Sequence, residues 1–399
     1  MPLVALILPT YVCPLACKYC YNEGERKGVM SRATLRRTVQ EIHAYAYAHP
    51  ELGGVQYLWH GGEPMVAGIN FFREAVEIQK SLQWSVPYRN DMQSNGLLLD
   101  EDWVSFLREE LFHISFSLDG TRELNDLTRV DHHGSGSFDR IMRAYRLAKD
   151  GGLTTGVVLT LTSLNAPHAA NIYRNFAAES IPFSVLPLLN AGNARGNFDE
   201  LSLMPEAYLR AWTTMYDLWL DGKPYVYVSN FVHETRAVLT GRPNMCTGLA
   251  NCADSTIAIE PDGSVYPCGS LAANPELSYG TLASSSLENL MSSSVARNLR
   301  HRQHTDECLK CKWFHTCHGG CMSRAHKYKG TVHVKDYYCH ALYGIYEHIE
   351  MRVKERELNR SAPSPSHFDK NLALHPLLNE GAELGGPRTI IPIVAEHRS

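Results

Sequence analysis

Apolar and polar positions over roughly the first 225 residues fall into two alternating patterns. Short strand-like runs predict strands at LVALILP (3–9), VQYLW (55–59), YRNDMQ (88–93), FHISFSL (112–118), TGVVLTL (155–161) and PFSVLPLL (182–189). The segments between them carry helical spacing. In TLRRTVQEIHAYA, Leu35, Val39, Ile42 and Ala46 share one face; in SFDRIMRAYRLAKDGG, Phe138, Ile141, Tyr145 and Ala148 do so, and glycines end the run. Strand and helix in succession predict an α/β fold of six βα units, a parallel sheet with right-handed crossovers, open or curled into a partial barrel. In such sheets functional groups gather at the C-terminal ends of the strands. HGGEP (60–64), QSNG (93–96) and SLDG (117–120) follow or end strands two, three and four, and so are expected to face one pocket.

The pattern changes after about residue 226. One hairpin, STIAIEPDGSVYPCG (255–269), places a PDG turn between two alternating runs. Tyr208, Trp212, Tyr216, Trp219, Tyr225, Tyr227 and Phe231, mostly at helical spacing, are expected in the core. Beyond about 355, RSAPSPS and a polar, glycine-containing stretch read as a linker-like tail. The expected organisation is therefore a βα unit over 1–225, a cysteine-rich domain over 226–350, and a helix end with its tail over 351–399.

With 399 residues, 44% hydrophobic, 20% charged and a formal charge of -4, the chain reads as a soluble globular protein, with no basic surplus for nucleic acid or an acidic membrane. LVALIL is too short for a signal or membrane-spanning segment and lacks a basic flank, so a cytoplasmic location is expected. There, eleven cysteines point to ligation rather than disulfides, and an odd count does not pair completely.

Three of them, Cys13, Cys17 and Cys20, lie in PTYVCPLACKYCYNEG (9–24), directly after strand one; the other eight lie between 246 and 339. Thiolates spaced C-x3-C-x2-C on a tight loop suit three iron corners of a 4Fe–4S cube, with the fourth corner left for a small molecule. A zinc ion held by the three cysteines and a histidine such as His43 is the alternative. The later spacings run Cys246-x5-Cys252-x15-Cys268, then Cys308-x2-Cys311-x5-Cys317-x3-Cys321-x17-Cys339. Eight cysteines make two closed sets of four, which suits two complete clusters, or two zinc ribbons.

The N-terminal spacing, with the aromatic Tyr19 before Cys20, resembles that of the radical SAM superfamily. The resemblance implies a partial (β/α)6 barrel in which S-adenosylmethionine (SAM) chelates the open iron through its amino and carboxylate groups. HGGEP strengthens it: glycines allow close backbone approach, and exposed amides with Glu63 are expected to grip an α-amino group. In the family this motif holds the SAM amino group, which assigns that contact to Gly61, Gly62, Glu63 and Pro64. Ser117 and Arg129 match positions that contact the ribose or carboxylate; Tyr19 and Asn95, the latter also readable as a turn residue before Gly96, complete the expected cofactor contacts. GSGSF (134–138) lacks the ending of a phosphate loop and reads as a helix-capping turn.

The second cysteine pattern closely resembles the SPASM extension of peptide and protein maturases. The resemblance assigns Cys246, Cys252, Cys268 and Cys321 to one auxiliary cluster and Cys308, Cys311, Cys317 and Cys339 to another, three 4Fe–4S clusters in all. It spans residues 1–350 and is closest to the anaerobic sulfatase-maturase branch. One departure stands out. Formylglycine-forming members carry, directly after the third SPASM cysteine, an aspartate that takes the substrate proton; here that position is Gly269, with Asp254 and Asp119 the candidates to stand in. No catalytic residue is therefore assigned. The expected activity is cross-linking of side chains in a ribosomally made peptide. Formylglycine formation, a non-catalytic iron–sulfur carrier and a small-molecule radical dehydrogenase are the rivals. Expected partners are a peptide or protein substrate and an electron donor such as flavodoxin or ferredoxin, with the substrate recognised by the barrel and SPASM surface or by a separate partner protein.

Overall fold

The structure, a computed structural model, describes residues 2–22, 28–222 and 225–359. Strands β1 (Leu3–Ile7), β2 (Val55–Trp59), β3 (Tyr88–Ser94), β4 (His113–Ser117), β5 (Thr155–Leu161) and β6 (Phe183–Pro187) pair in parallel, each with the next. Helices Arg32–Ala48, Ile69–Ser81, Glu101–Glu109, Phe138–Asp150 and Ala169–Ala178 fill the crossovers, as the periodicity predicts.

Strand alternation gives the sheet two different faces. Leu3, Ala5, Ile7, Tyr57, Trp59, Met92, Ile114, Phe116, Val157 and Leu159 join the helices in one large apolar core. On the other face, Val4, Leu6, Leu8 and Leu58 form a separate apolar cluster with Tyr11, Ala258, Tyr266 and Ala272. Farther along, that face turns polar. Asp91 meets Arg89 at 3.0 Å and His113 at 3.1 Å, Ser115 donates to Gln93, and Gln93 donates to Ser117 at 2.9 Å. Buried polar groups persist only when they satisfy one another or a ligand, so this inner face suits a polar occupant.

The hairpin joins the same sheet. β7 (Thr256–Ile259) pairs in parallel with β1, and β8 (Ser264–Tyr266) and β9 (Gly280–Thr281) follow antiparallel, giving nine strands in the order β6-β5-β4-β3-β2-β1-β7-β8-β9. An open barrel leaves β1 with an unpaired edge, and β7 covers it. Helix Cys339–Asn359 packs on helices Pro205–Asp221 and Ser229–Thr240. Between them Tyr208, Trp212, Tyr216, Trp219 and Phe231 are buried, with Trp212 and Phe231 edge to face at 4.7 Å, so these aromatics are core. The expected tail beyond Asn359 lies outside the described residues. Among those described, no helix is long and apolar enough to cross a membrane.

Candidate cofactor and cluster sites

The loop bearing Cys13, Cys17 and Cys20 follows β1 and is fixed from several sides. Ala16 and Lys18 donate backbone hydrogen bonds to Val130 (2.8 Å) and Thr128 (2.9 Å), Asn193 donates to the Cys20 and Cys17 carbonyls at 2.8 and 3.0 Å, and the Tyr11 hydroxyl reaches Glu260 beyond β7 at 2.8 Å. The Cys13 sulfur accepts from the Leu15 amide at 3.4 Å and faces the Asn95 side chain at 3.5 Å. Asn95 is thus more than a turn residue. Burial pushes the Cys13 thiol up to about 12 and Cys17 upward as well, with Cys20 among the neighbours that add to it. All eleven cysteines are free of disulfides. Closely set, buried thiols ionise only against a compensating cation, and an all-sulfur donor set favours iron–sulfur or zinc ligation.

HGGEP acts differently from the sequence expectation. The amides of Gly62 and Glu63 are not exposed; they donate to the Thr10 and Val12 carbonyls at 2.9 and 3.0 Å. A Cβ on Gly61, at φ +113°, would lie 2.4 Å from the Thr10 oxygen, and one on Gly62 would lie 2.4 Å from that of Tyr11. The paired glycines let the cysteine loop come this close. Glu63 is buried, and both its oxygens are used: Oε1 accepts from the Met65 amide (3.1 Å) and the Ser94 hydroxyl (2.8 Å), Oε2 from the Asn95 amide (2.7 Å). It ties this turn to the end of β3, and burial pushes its carboxyl up to about 7 against those three donors. Pro64 opens the short turn Pro64–Ala67 that Glu63 caps. The Gly62 carbonyl accepts no hydrogen bond from a described residue, which leaves it available to an ammonium group.

Tyr19, Asp119 and Arg129 form a buried triad beneath the loop. The Tyr19 hydroxyl lies between the Asp119 carboxylate and Arg129 Nη1, Arg129 is 3.8 Å from Asp119, and Thr160 donates to Asp119 at 3.0 Å. Asp119 is therefore committed to structure and does not replace the missing aspartate. Asp254, paired with Arg300 at 3.3 Å, is engaged as well. Arg129 Nε is buried with no hydrogen-bond partner among the described residues, and an anionic group fits it. Ser117 sits at the inner end of β4, accepting from Gln93. The GSGSF turn is capped from outside, by Asp126 accepting from the Ser137 and Phe138 amides at 2.9 Å.

Cys246, Cys252, Cys268 and Cys321 lie near one another, and Cys308, Cys317 and Cys339 do likewise. Burial pushes Cys246 and Cys268 up to about 12 and Cys252 well upward, with Cys321 among the charges that add to it. Cys339 and Cys308 do the same to Cys317, at about 12, while Cys311 donates its amide to the Cys308 carbonyl at 3.0 Å. Among the described residues, no three His, Cys, Asp or Glu side chains gather tightly enough for a single metal ion. His43, the alternative fourth ligand, is instead bonded to the Gln83 carbonyl at 2.8 Å.

Two residues the sequence reading did not weigh are Tyr21, which stands beside Gly269, and His60 next to Tyr21. A Cβ there would meet Leu6 Cδ2 at 2.7 Å and the Tyr21 hydroxyl at 3.8 Å. Tyr21 Oη lies 3.4 Å from His60 Nε2, and His60 Nδ1 accepts from the Gly61 amide at 2.7 Å. Burial pushes His60 down to about 4, so the ring is neutral at pH 7 and carries its proton on Nε2, toward Tyr21. Both residues lie inside quoted motifs, but only the fold brings Tyr21 together with Gly269 and His60.

Residues 7–168 match the radical SAM superfamily, and residues 246–312 match the SPASM iron-sulfur cluster-binding domain; Cys317, Cys321 and Cys339 lie beyond the latter match. The chain is 29% identical over 367 residues to a cysteine-type anaerobic sulfatase-maturating enzyme of Clostridium perfringens, covering 88% of this chain and 97% of that one. It is 26% identical to a serine-type enzyme of Bacteroides thetaiotaomicron, covering 91% and 94%. Among solved structures, anSMEcpe with bound AdoMet and the Cp18Cys peptide superposes with a TM-score of 0.80 at 26% identity, covering 90% of this chain and 99% of that one. Streptococcus suis SuiB bound to its precursor peptide SuiA shares the fold at a TM-score of 0.62 and 16% identity, covering 85% and 76%. The chain belongs to the radical SAM superfamily and carries a SPASM iron–sulfur domain.

Proposed function

We propose that this protein is a radical SAM/SPASM maturase that installs a side-chain cross-link in a ribosomally made peptide. In this reading Cys13, Cys17 and Cys20 hold a cluster with one open corner, beside the Gly62 carbonyl and the Tyr19–Arg129 pair, in the unit spanning 1–225. Cys246, Cys252, Cys268 and Cys321 hold one auxiliary cluster, and Cys308, Cys311, Cys317 and Cys339 a second, in the region 226–350. Together the bound cofactors supply a carbon radical able to take hydrogen from an unactivated carbon. A reducing compartment, the cytoplasm, and a flavodoxin- or ferredoxin-type donor fit this cofactor set.

The observation that carries the choice of product is the surrounding of Gly269. Removing a Ser or Cys proton needs an acceptor, and no carboxylate side chain stands at this position. Tyr21, bonded to His60 Nε2–H, keeps its own O–H free to donate. The pocket therefore offers a hydrogen-bond donor suited to a peptide carbonyl. Formylglycine formation is the second reading, favoured by the near-full-length similarity to sulfatase-maturating enzymes. Anaerobic incubation of the iron-loaded protein with SAM, reductant and Ser- or Cys-containing peptides separates the two by tandem mass spectrometry. Loss of two hydrogens with no fragmentation between two residues is the expected product; an aldehyde captured by a hydrazide probe overturns the cross-link.

A further inference from the structure

We propose that Gln93, held in turn by Ser115, is a positioning residue that aims the Ser117 hydroxyl at the bound cofactor as a hydrogen-bond donor. The inference rests on the SAM reading above, with Ser117 as one of the cofactor contacts. Along β3 and β4, side chains alternate between the two faces of the sheet. Met92, Ile114 and Phe116 join the core under the helices, so Gln93, Ser115 and Ser117 face the barrel interior. The register sets Gln93 beside Ser115, one inward-facing position below Ser117. On the other side β5 presents Gly156 opposite Ser115, so that strand puts no side chain beside the amide.

From there the Gln93 side chain reaches both serines. Its Oε1 accepts from the Ser115 hydroxyl, and its Nε2 donates to Ser117 Oγ at 2.9 Å. Gln93 and Ser115 are buried, while Ser117 keeps partial exposure. The order of these bonds follows from Ser115. Were the amide reversed, the Ser115 proton would have only the Met92 carbonyl, 3.5 Å away, where a hydroxyl bond is weak.

That order decides what Ser117 offers. A hydroxyl has one proton and two lone pairs. The Gln93 amide takes a lone pair, and the Ser117 proton meets no acceptor among the described residues, so it is available to an oxygen of the cofactor. An apolar residue at position 93 would cover the same face with no polar groups to satisfy. What the amide adds is direction: it keeps the Ser117 proton from turning toward the strand below and leaves it as a donor at the inner end of β4.

The test is equilibrium dialysis of SAM against the iron-loaded full chain, with iron counted in each sample, arranged as a double-mutant cycle. Gln93→Met, which keeps the bulk but cannot donate, should weaken SAM binding about tenfold, the size of one hydrogen bond, at unchanged iron. In a Ser117→Ala background the same substitution should have no further effect, because Gln93 acts only through that hydroxyl. Ser115→Ala, which frees the amide to reverse, should weaken binding in the wild-type background and not in the Ser117→Ala one. A residue that merely packs the strand would add its loss in both backgrounds. Should Gln93→Met fail to retain iron, the Ser115→Ala pair decides by the same comparison. SAM binding unchanged by Gln93→Met, or losses that add in full to that of Ser117→Ala, overturn the inference. A wild-type chain that carries iron but binds no SAM removes the SAM reading itself, and the positioning role with it.

Discussion

The backbone amide of Asn95 donates to the carboxylate of Glu63 at 2.7 Å, fastening the end of β3 to the turn after β2. This bond also seats the Asn95 side chain 3.5 Å from the Cys13 sulfur. Because both oxygens of Glu63 accept, Glu63→Gln turns an NH2 group against one of the three donors. Leaving one buried donor unmet costs about 1–3 kcal/mol. Denaturant unfolding of the metal-free protein should show a loss of that size, and an unchanged midpoint would mean that the tie is not formed.

Gly62 predicts a loss confined to one site. A Cβ there would stand 2.4 Å from the Tyr11 carbonyl oxygen and 2.5 Å from that of Val12, both backbone atoms that cannot swing aside. Gly62→Ala should displace the cysteine loop and remove about four irons per chain, leaving the auxiliary complement intact. Iron analysis of the reconstituted variant reads this directly; full loading would show that the loop tolerates the push.

His60 predicts a pH effect with a definite sign. Its folded value of about 4 lies below the ordinary 6.5, because burial disfavours the charged ring. Between pH 6.5 and 4 the unfolded chain takes up a proton that the folded chain refuses, so this contribution to stability is intact above 6.5 and declines as pH falls through the window. For a half-buried ring the decline is about 1–3 kcal/mol. The stability difference between wild type and His60→Gln should therefore shift against wild type as the pH drops from 6.5 to 4. A difference that stays flat over that range would contradict the buried neutral ring.

Much of this was legible before any coordinates. All six parallel strands lie where the strand-like runs place them; β1, β2, β5 and β6 read as largely apolar runs, while β3 and β4 alternate apolar core residues with the polar residues of the inner face. The cysteine spacings were legible too, and the fold sets Cys321 near Cys246. Other features depend on packing across distances that spacing does not encode. HGGEP reads as an amide cradle until the Thr10 and Val12 carbonyls are seen to occupy its amides. The pairing of β7 with β1 joins residues some 250 positions apart. Tyr21, His60 and Gly269 belong to three separate motifs, and Asp336 looks like an ordinary surface acid until it is found holding Cys321 and Arg324.

The most direct test of the whole account is anaerobic reconstitution followed by addition of SAM and a strong reductant, with iron and 5'-deoxyadenosine measured together. About twelve irons per chain, with deoxyadenosine formed by the wild type and abolished by Cys17→Ala, is the predicted result. Zinc in place of iron, or full iron loading with no deoxyadenosine, would contradict it.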